Sequence, residues 1–224
     1  MVKSLSPKVS RQRLQLKFTR GPEVRYISHL DLMRLWERAL RRAGMPIAYS
    51  EGFNPRPRMA LGSPLAVGVT SDGELLDLFL EQRISPYHLT TSISKELPDG
   101  ISILEVAEMG LKVPSLQSRA NQADYIVTIT SDKTPEQIQS AVDSFLDAKH
   151  IEWQHKRDKK IREYDIRALV QYLQVIGGKN NEFQIGMRLK ISGRPEQVCA
   201  ALGFSDHPSL IHRTGIILDE IGGN

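Results

Sequence analysis

The sequence predicts an α+β fold with two ferredoxin-like units packed in tandem, each with the element order β-α-β-β-α-β. Along the chain, segments in which apolar and polar residues alternate, as in half-buried strands, are interspersed with segments whose apolar residues recur at helical spacing. This order occurs once before and once after a polar, proline-containing stretch at 110–122. The length of 224 residues also suits two domains of about 100 residues each. We therefore predict domains at 11–109 and 123–221, joined by a linker at 110–122.

The first predicted unit begins with a strand, because apolar and polar residues alternate over 14–18. Ser28 then stands where a helix N-cap is expected, with Asp31 at the third position after it. Gly44 closes the helix, since glycine favours the backbone conformation found just after helix ends. The remaining predicted elements of this unit are extended segments at 47–49 and 59–61, strands at 75–80 and 101–106, and a helix at 86–97.

The second predicted unit opens with a strand over 123–130, and Thr134 then caps a helix that has Pro135 at its first position. The segment 164–176 fits a strand, a helix or both, and its apolar period does not separate these alternatives. The other predicted elements are strands at 151–155, 183–191 and 210–218, a helix at 195–202, and a basic turn, HKRDKKIR, at 155–162.

Composition narrows the class of protein. The net charge of +4 and the isoelectric point of about 9.2 are compatible with an anionic partner. No apolar run reaches the roughly 20 residues that span a bilayer, so we expect no membrane association and a cytoplasmic location. The single cysteine, Cys199, cannot provide a disulfide framework or an iron–sulfur cluster by itself. The histidines lack metal-ligand spacing and no glycine-rich phosphate loop follows a strand, so the sequence predicts no cofactor and no metal.

Basic side chains concentrate in two places. In the first, arginines crowd one helix, and further arginines flank prolines beside aromatic residues in the segment after it. Guanidinium groups bind phosphates and rings stack on bases, so this pattern favours nucleic acid, with a solvated helix face as the alternative. The second cluster occupies the basic turn, where a solubilising hairpin tip is the alternative. The predicted nucleic-acid-binding residues are Arg34, Arg38, Arg42, Tyr49, Phe53, Arg56, Arg58, Lys156, Arg157, Lys159, Lys160, Arg162 and Arg167.

One histidine is a candidate catalytic group. His29 falls in the first turn of the first helix, where the helix dipole favours the neutral imidazole that a general base requires. The structural alternative is that His29 satisfies a local hydrogen bond, for example with Asp31.

Several motifs resemble the radical SAM-linked protein family, a domain of unknown function encoded beside, or fused to, an uncharacterised radical SAM enzyme. The motifs that carry the resemblance are YISHLD at 26–31, ERALRRAG at 37–44, AYSEGFNPRP at 48–57, and the basic residues Lys159-Lys160 followed in the sequence by Asp165-Ile166-Arg167. The chain departs from many relatives at Arg56, where they carry histidine. The resemblance implies a radical SAM partner and a link to RNA or ribosome-related modification, and it supplies no reaction.

Three functional hypotheses follow. The first is a non-catalytic accessory module of a radical SAM enzyme that binds RNA or presents an RNA substrate through its arginines. The second, from a loose resemblance to the repeat-processing endoribonucleases of CRISPR systems, is a metal-independent nuclease in which His29 deprotonates a ribose hydroxyl. The third is a domain that docks the radical SAM enzyme through Trp36 or Phe53.

Overall fold

The computed structural model divides the chain into two compact units. The described residues are 10–157, 160–179, 181–204 and 207–221. The first unit takes its described residues from 10–120 and 218–221, and the second from 121–217. Within the described residues, no helix has both the length and the apolar composition that crossing a bilayer requires.

The first unit consists of a sheet with helices. Its strand order is β4-β1-β3-β2, and each neighbouring pair in that order is antiparallel. The elements in chain order are β1 (Gln12–Arg20), a 3-10 turn (Pro22–Val24), α1 (His29–Arg42), β2 (Met59–Leu61), β3 (Thr70–Leu80), α2 (Pro86–Ile93), β4 (Ile103–Met109) and α3 (Leu116–Arg119).

The core of the first unit joins β1 to α1. Leu14, Leu16 and Phe18 alternate along β1 and are fully buried, as the sequence pattern predicts. The ring of Phe18 meets Trp36 of α1 edge to face, with the ring centroids 4.9 Å apart. Each such side chain contributes about 1.5–3 kcal/mol by leaving water. The helix is therefore held by its apolar face, which leaves its charged face exposed.

The ends of α1 follow from local chemistry. Ser28 is the N-cap, and its hydroxyl oxygen accepts a hydrogen bond from the backbone N–H of Asp31. Gly44 has φ of +67° just beyond the last turn, a conformation that glycine adopts at little cost. The chain then turns back, since the N–H of Met45 donates to the carbonyl of Leu40 at 3.0 Å. Both predicted boundaries of this helix are confirmed.

The second unit has the strand order β10-β5-β9-β8, and β6 pairs with β7 in a separate two-stranded sheet. Thr134 and Gln137 form a full capping box at the start of α4, with Pro135 at its first position. The elements are β5 (Ala120–Thr130), α4 (Pro135–Asp147), β6 (Glu152–Arg157), β7 (Lys160–Asp165), a 3-10 turn (Arg167–Leu169), β8 (Val170–Lys179), β9 (Glu182–Lys190), α5 (Pro195–Ala201) and β10 (Leu210–Leu218).

The predicted α+β class is confirmed, and the tandem ferredoxin-like arrangement stays a prediction.

Several predicted elements need correction. The predicted linker at 110–122 contains α3, which Ser115 caps, and the start of β5. The helix predicted to run to residue 97 ends at Ile93. The predicted basic turn is mostly strand, since cross-strand pairing extends from Glu152 opposite Asp165 to Arg157 opposite Lys160. The segment 164–176, for which the sequence fitted a strand, a helix or both, contains the end of β7, a 3-10 turn and the start of β8.

Candidate nucleic-acid interface

Helix α1 presents a row of arginines on its exposed face. Arg34, Arg38 and Arg42 follow each other at intervals of four residues, and all three side chains are exposed. A helix rises 1.5 Å per residue, so neighbouring members of the row start about 6 Å apart along the helix axis. The row is therefore a line of positive charge with a regular spacing.

The arginine row borders an open groove, which we call the α1 groove. Its opposite wall is the turn after α2, and its volume is about 650 Å³. Lys95 in that wall adds a fourth cation, while Asp31 and Glu96 contribute two carboxylates. The lining residues are Ile27, Asp31, Arg34, Leu35, Arg38, Arg42, Lys95, Glu96, Leu97 and Pro98. At neutral pH the lining thus combines an excess of positive charge with apolar side chains.

Ion pairs occupy both ends of the groove. Arg34 contacts Asp31 at 3.3 Å, and both side chains are largely exposed. Arg42 donates from Nε to the Glu96 carboxylate at 2.6 Å and from Nη2 to the Glu96 backbone carbonyl at 2.7 Å. Between them, Arg38 makes no ion pair within the described part of the chain. Arg38 is therefore the member of the row most open to an external anion.

The carboxylate of Asp31 is held in its ionised form. A hydrogen bond from the Ser28 hydroxyl at 2.7 Å is the largest cause of the lowered pKa of Asp31, and the positive charges of Arg34 and Arg38 lower that pKa further. Asp31 therefore keeps its charge over the whole neutral range, and it orients Arg34 at the mouth of the groove.

A buried arginine fixes the loop that leads into α1. Arg20 is 1% exposed at the end of β1. Its guanidinium donates to the carbonyls of Arg25 at 3.0 Å and Ile27 at 2.6 Å, with longer contacts to Val24 and Leu65, both at 3.4 Å. Hydrogen bonds from a charged donor are stronger than neutral ones, so the loop is firmly attached to the sheet. This sets the position of Ile27, the first residue of the groove lining.

The opposite wall is tied to the same loop by a glycine. Gly100 has φ of +86°, and a Cβ atom there would lie 2.6 Å from Oε2 of Glu23. Its carbonyl accepts from the N–H of Gly21 at 2.7 Å. The segment 95–98 therefore ends at a point that only glycine fits without strain.

The segment after α1 forms a narrow hairpin. The N–H of Arg58 donates to the carbonyl of Ala48 at 2.7 Å, and the N–H of Ser50 donates to the carbonyl of Arg56 at 2.8 Å. Phe53 lies at the tip and is fully exposed. The predicted extended segment 47–49 therefore leads into one arm of a projection whose other arm is 56–58, and the tip carries a large apolar ring in solvent. The other predicted segment, 59–61, is β2, which pairs with β3.

The predicted binding residues in this hairpin differ in whether their side chains contact the rest of the fold. Arg56 is exposed, and its backbone N–H donates to the Ser50 hydroxyl at 3.0 Å. The Arg58 guanidinium instead lies 4.8 Å above the ring of Phe79 and donates to the Ser10 hydroxyl at 2.8 Å. Tyr49 is half buried and packs against the core. Arg58 is also exposed, but it and Tyr49 have structural contacts, whereas the side chains of Arg56 and Phe53 have none within the described residues.

The second basic cluster belongs to the second unit. Arg162 is exposed on β7. Lys159 lies outside the described residues, and so do the side chains of Lys156, Arg157 and Lys160. Arg167 has a structural role, because its guanidinium donates to the carbonyl of Leu146 at 3.2 Å and to that of Val170 at 2.9 Å.

His29 occupies the first position of α1 and is half buried. Its imidazole makes no hydrogen bond or ion pair within the described residues, and the predicted partner Asp31 bonds to Ser28 and Arg34 instead. Across the described ranges there is no group of three or more His, Cys, Asp or Glu side chains that could hold a metal ion. The catalytic role of His29 stays a prediction.

A comparison with family models decides the family. The model of a bacterial family described as an uncharacterized protein conserved in bacteria, DUF2344, matches residues 13–198. The chain belongs to the DUF2344 family. The matched range includes both walls of the α1 groove, the hairpin and β6–β9. A search of curated proteins finds no match.

The fold of this DUF2344 chain is similar to that of a solved protein complex. A crystal structure of a Cbf5–Nop10–Gar1 complex matches with a TM-score of 0.51 and 13% identity, over 92% of this chain and 49% of the other. An H/ACA ribonucleoprotein bound to a substrate RNA containing 2′-deoxyuridine matches with a TM-score of 0.46 and 12% identity, over 92% and 48%. The DUF2344 chain spans about half the length of these chains, and the likeness concerns the fold.

Sequence reasoning missed two contributors to this DUF2344 surface. Lys95 completes the α1 groove from a turn more than fifty residues away in the chain, and no local pattern marks it. Arg25 lies with its guanidinium 4.7 Å from the centre of the Tyr26 ring. The adjacent Arg-Tyr pair was a usable signal, because a cation beside an aromatic residue is a common feature of nucleic-acid-binding surfaces.

Proposed function

We propose that this DUF2344 protein binds RNA through the α1 groove, as a non-catalytic accessory module of a radical SAM enzyme. The observation that carries the proposal is the arginine row. Arg34, Arg38 and Arg42 line one wall of a groove, Lys95 lines the other, and Arg38 has no ion-pair partner among the described residues.

The chemistry of the groove suits a phosphate backbone. Each guanidinium presents a planar fork of N–H donors that matches two oxygens of one phosphate. The regular spacing of the row lets successive arginines meet successive phosphates. The carboxylates of Asp31 and Glu96 keep the end arginines in place before a ligand arrives. They also compete with phosphate at the two ends, whereas Arg38 and Lys95, which have no ion-pair partner among the described residues, bind phosphate without that competition.

The radical SAM partner enters through the resemblance of the YISHLD, ERALRRAG and SEGFNPRP motifs. With Cys199 as their single cysteine, these 224 residues have no set of thiolates for a cluster, so a radical reaction needs cysteines from outside them. The cytoplasmic location stays a prediction.

We also infer that both units are ferredoxin-like. In the first unit, the strand order β4-β1-β3-β2 and the order of helices and strands support this inference. The second unit follows the same plan if the β6–β7 hairpin is an insertion between α4 and β8, since its strand order is β10-β5-β9-β8.

The experiment that tests the function is crosslinking of the tagged protein in its native host, with bound RNA sequenced and co-purified proteins identified from one sample. The test variant is Arg38→Glu. The matched control is Arg41→Glu, on the same helix, where the native arginine pairs with Glu37 at 2.8 Å and does not line the groove. We expect discrete RNA sites that Arg38→Glu removes and Arg41→Glu retains.

Two outcomes contradict the proposal. Recovery of a radical SAM enzyme without specific RNA would make the chain a protein-docking domain, with exposed Phe53 as the first contact to examine. Cleavage of the bound RNA in EDTA by the wild type, lost in His29→Ala, would favour the metal-independent nuclease.

A further inference from the structure

We propose that the RNA bound by the α1 groove is single-stranded and that one of its unpaired bases stacks on Tyr26. This inference rests on the proposed function. It starts from an exposed aromatic side chain, because Tyr26 is 67% exposed although it sits directly before the first residue of the groove lining.

Exposed apolar side chains also occur in the two segments next to Tyr26, the start of α1 and the segment before Gly68. Leu30 in the first turn of α1 is 67% exposed, and Val67 is 59% exposed. Val67 precedes Gly68, where an added Cβ atom would lie 3.9 Å from the Tyr26 ring. Large apolar side chains grouped at the surface of a protein mark contact sites.

The backbone on both sides of Tyr26 is fixed. Buried Arg20 donates to the carbonyls of Arg25 and Ile27, the residues before and after the tyrosine. The N–H of Gly68 also donates to the Arg25 carbonyl at 2.8 Å. A ring on a rigid backbone loses little conformational freedom when a ligand stacks on it, so the binding free energy of a stacked base is retained.

Arg25 decides which kind of partner suits this ring. Its guanidinium lies over one face of the Tyr26 ring, 4.7 Å from the ring centre, so positive charge and an aromatic surface stand together and the base stacks on the opposite face. A base that stacks here carries a phosphate on each side, and the groove whose lining begins at Ile27, next to Tyr26, also contains the cation Arg34. An anionic polymer with flat bases fits this combination better than an apolar protein segment does.

The requirement for a single strand follows from the geometry of nucleic acids. In a duplex, the faces of the bases are covered by their neighbours, so an aromatic side chain reaches a base face only where the strand is unpaired. The arginine row then follows the backbone of the same strand, as in other stacking platforms that lie beside a positively charged groove.

A second exposed tyrosine provides the contrast. Tyr87 on α2 is 79% exposed, and no cation lies over its ring within the described residues. It also does not line the α1 groove. Tyr87 is an ordinary surface tyrosine and therefore a matched control for Tyr26.

The test measures affinity by fluorescence anisotropy of the full chain with labelled RNA. The probes are a single strand of about ten nucleotides, a perfect duplex of the same sequence, and a strand of equal length with abasic positions. The variants are Tyr26→Ala, Tyr26→Phe and Tyr87→Ala. We expect the wild type to prefer the strand over both the duplex and the abasic strand.

We further expect Tyr26→Ala to weaken strand binding about tenfold, in line with the loss of one stacked base. Tyr26→Phe and Tyr87→Ala should both bind the single strand with the affinity of the wild type. Affinity for the abasic strand should be the same in all variants.

The failures of the inference and of the proposed function are distinguishable. Equal binding of strand and duplex, unaffected by Tyr26→Ala, overturns the single-strand inference and leaves RNA binding in place. No binding of any probe overturns the proposed function itself. If Tyr26→Ala leaves strand binding intact and instead reduces recovery of the radical SAM enzyme on the tagged chain, the patch around Tyr26 is a protein-docking surface.

Discussion

At the scale of single residues, a buried ion pair stabilises the first unit, which carries the α1 groove. The pair Arg13–Asp77 links β1 to β3 inside the first unit, with the two side chains 2% and 1% exposed. Arg13 also donates to the backbone carbonyls of Val113 and Pro114, and Gln15 donates to the other oxygen of Asp77. All these groups are satisfied together, so the loss of one partner leaves a buried charge without compensation.

We predict that Asp77→Asn lowers the free energy of unfolding by about 3–5 kcal/mol, because Arg13 keeps its charge in the interior. The control is Glu37→Gln, which breaks the exposed pair with Arg41 and should cost less than about 0.5 kcal/mol. Urea unfolding followed by circular dichroism measures both. Equal effects would show that burial of the pair is unimportant.

The lone thiol gives a pH-dependent prediction. Burial raises the pKa of Cys199 to about 12, and the nearby Glu196 charge adds to this shift. An unfolded cysteine has a pKa of about 8.5, so between these values the unfolded chain releases a proton that the folded chain keeps. The contribution of Cys199 to stability is therefore complete at neutral pH and falls as pH rises above about 8.5.

We expect the difference in unfolding free energy between wild type and Cys199→Ala to shrink by about 1–2 kcal/mol from pH 7 to about pH 10. Urea unfolding of both proteins at the two pH values measures it, and the comparison cancels the titration of other groups. A difference that does not change with pH would contradict the burial of the thiol.

At the scale of elements, the hairpin after α1 carries two arginines with different roles, one that contacts the rest of the fold and one that does not. Both side chains are exposed, but Arg58 stacks on Phe79 and bonds to Ser10, whereas the Arg56 side chain makes no such contact within the described residues. We predict that Arg58→Ala lowers the free energy of unfolding by about 1 kcal/mol and that Arg56→Ala leaves it unchanged. Thermal unfolding measures both. An equal loss in the two variants would place Arg56 in the fold as well.

How far elements could be predicted depends on how local their causes are. The caps Ser28 and Thr134 were predictable because their hydrogen bonds involve residues three positions away. The lengths of β6 and β7 were underestimated, and the basic turn between them was drawn too long, because charged residues have weak strand preference and pairing across the hairpin decides the structure. The buried role of Arg20 was missed for a similar reason, since its carbonyl acceptors depend on the tertiary path of the loop.

At the scale of the whole molecule, the α+β class and the presence of arginines on one helix face were accessible from the sequence. The α1 groove was not, because its second wall comes from residues 95–98 after α2. The two predicted basic clusters also fall in different units, with the row on α1 in the first and Arg162 in the second. The central claim about this molecule therefore concerns the first unit alone.

The salt dependence of RNA binding tests that claim most directly. Four cations, Arg34, Arg38, Arg42 and Lys95, predict a slope of about −3 for log affinity against log salt with a single strand. The slope should fall to about −1.5 in the Arg34→Gln, Arg38→Gln double variant and stay near −3 in Arg41→Gln. Anisotropy titrations between about 50 and 200 mM salt measure it. A double variant with an undiminished slope would contradict the account.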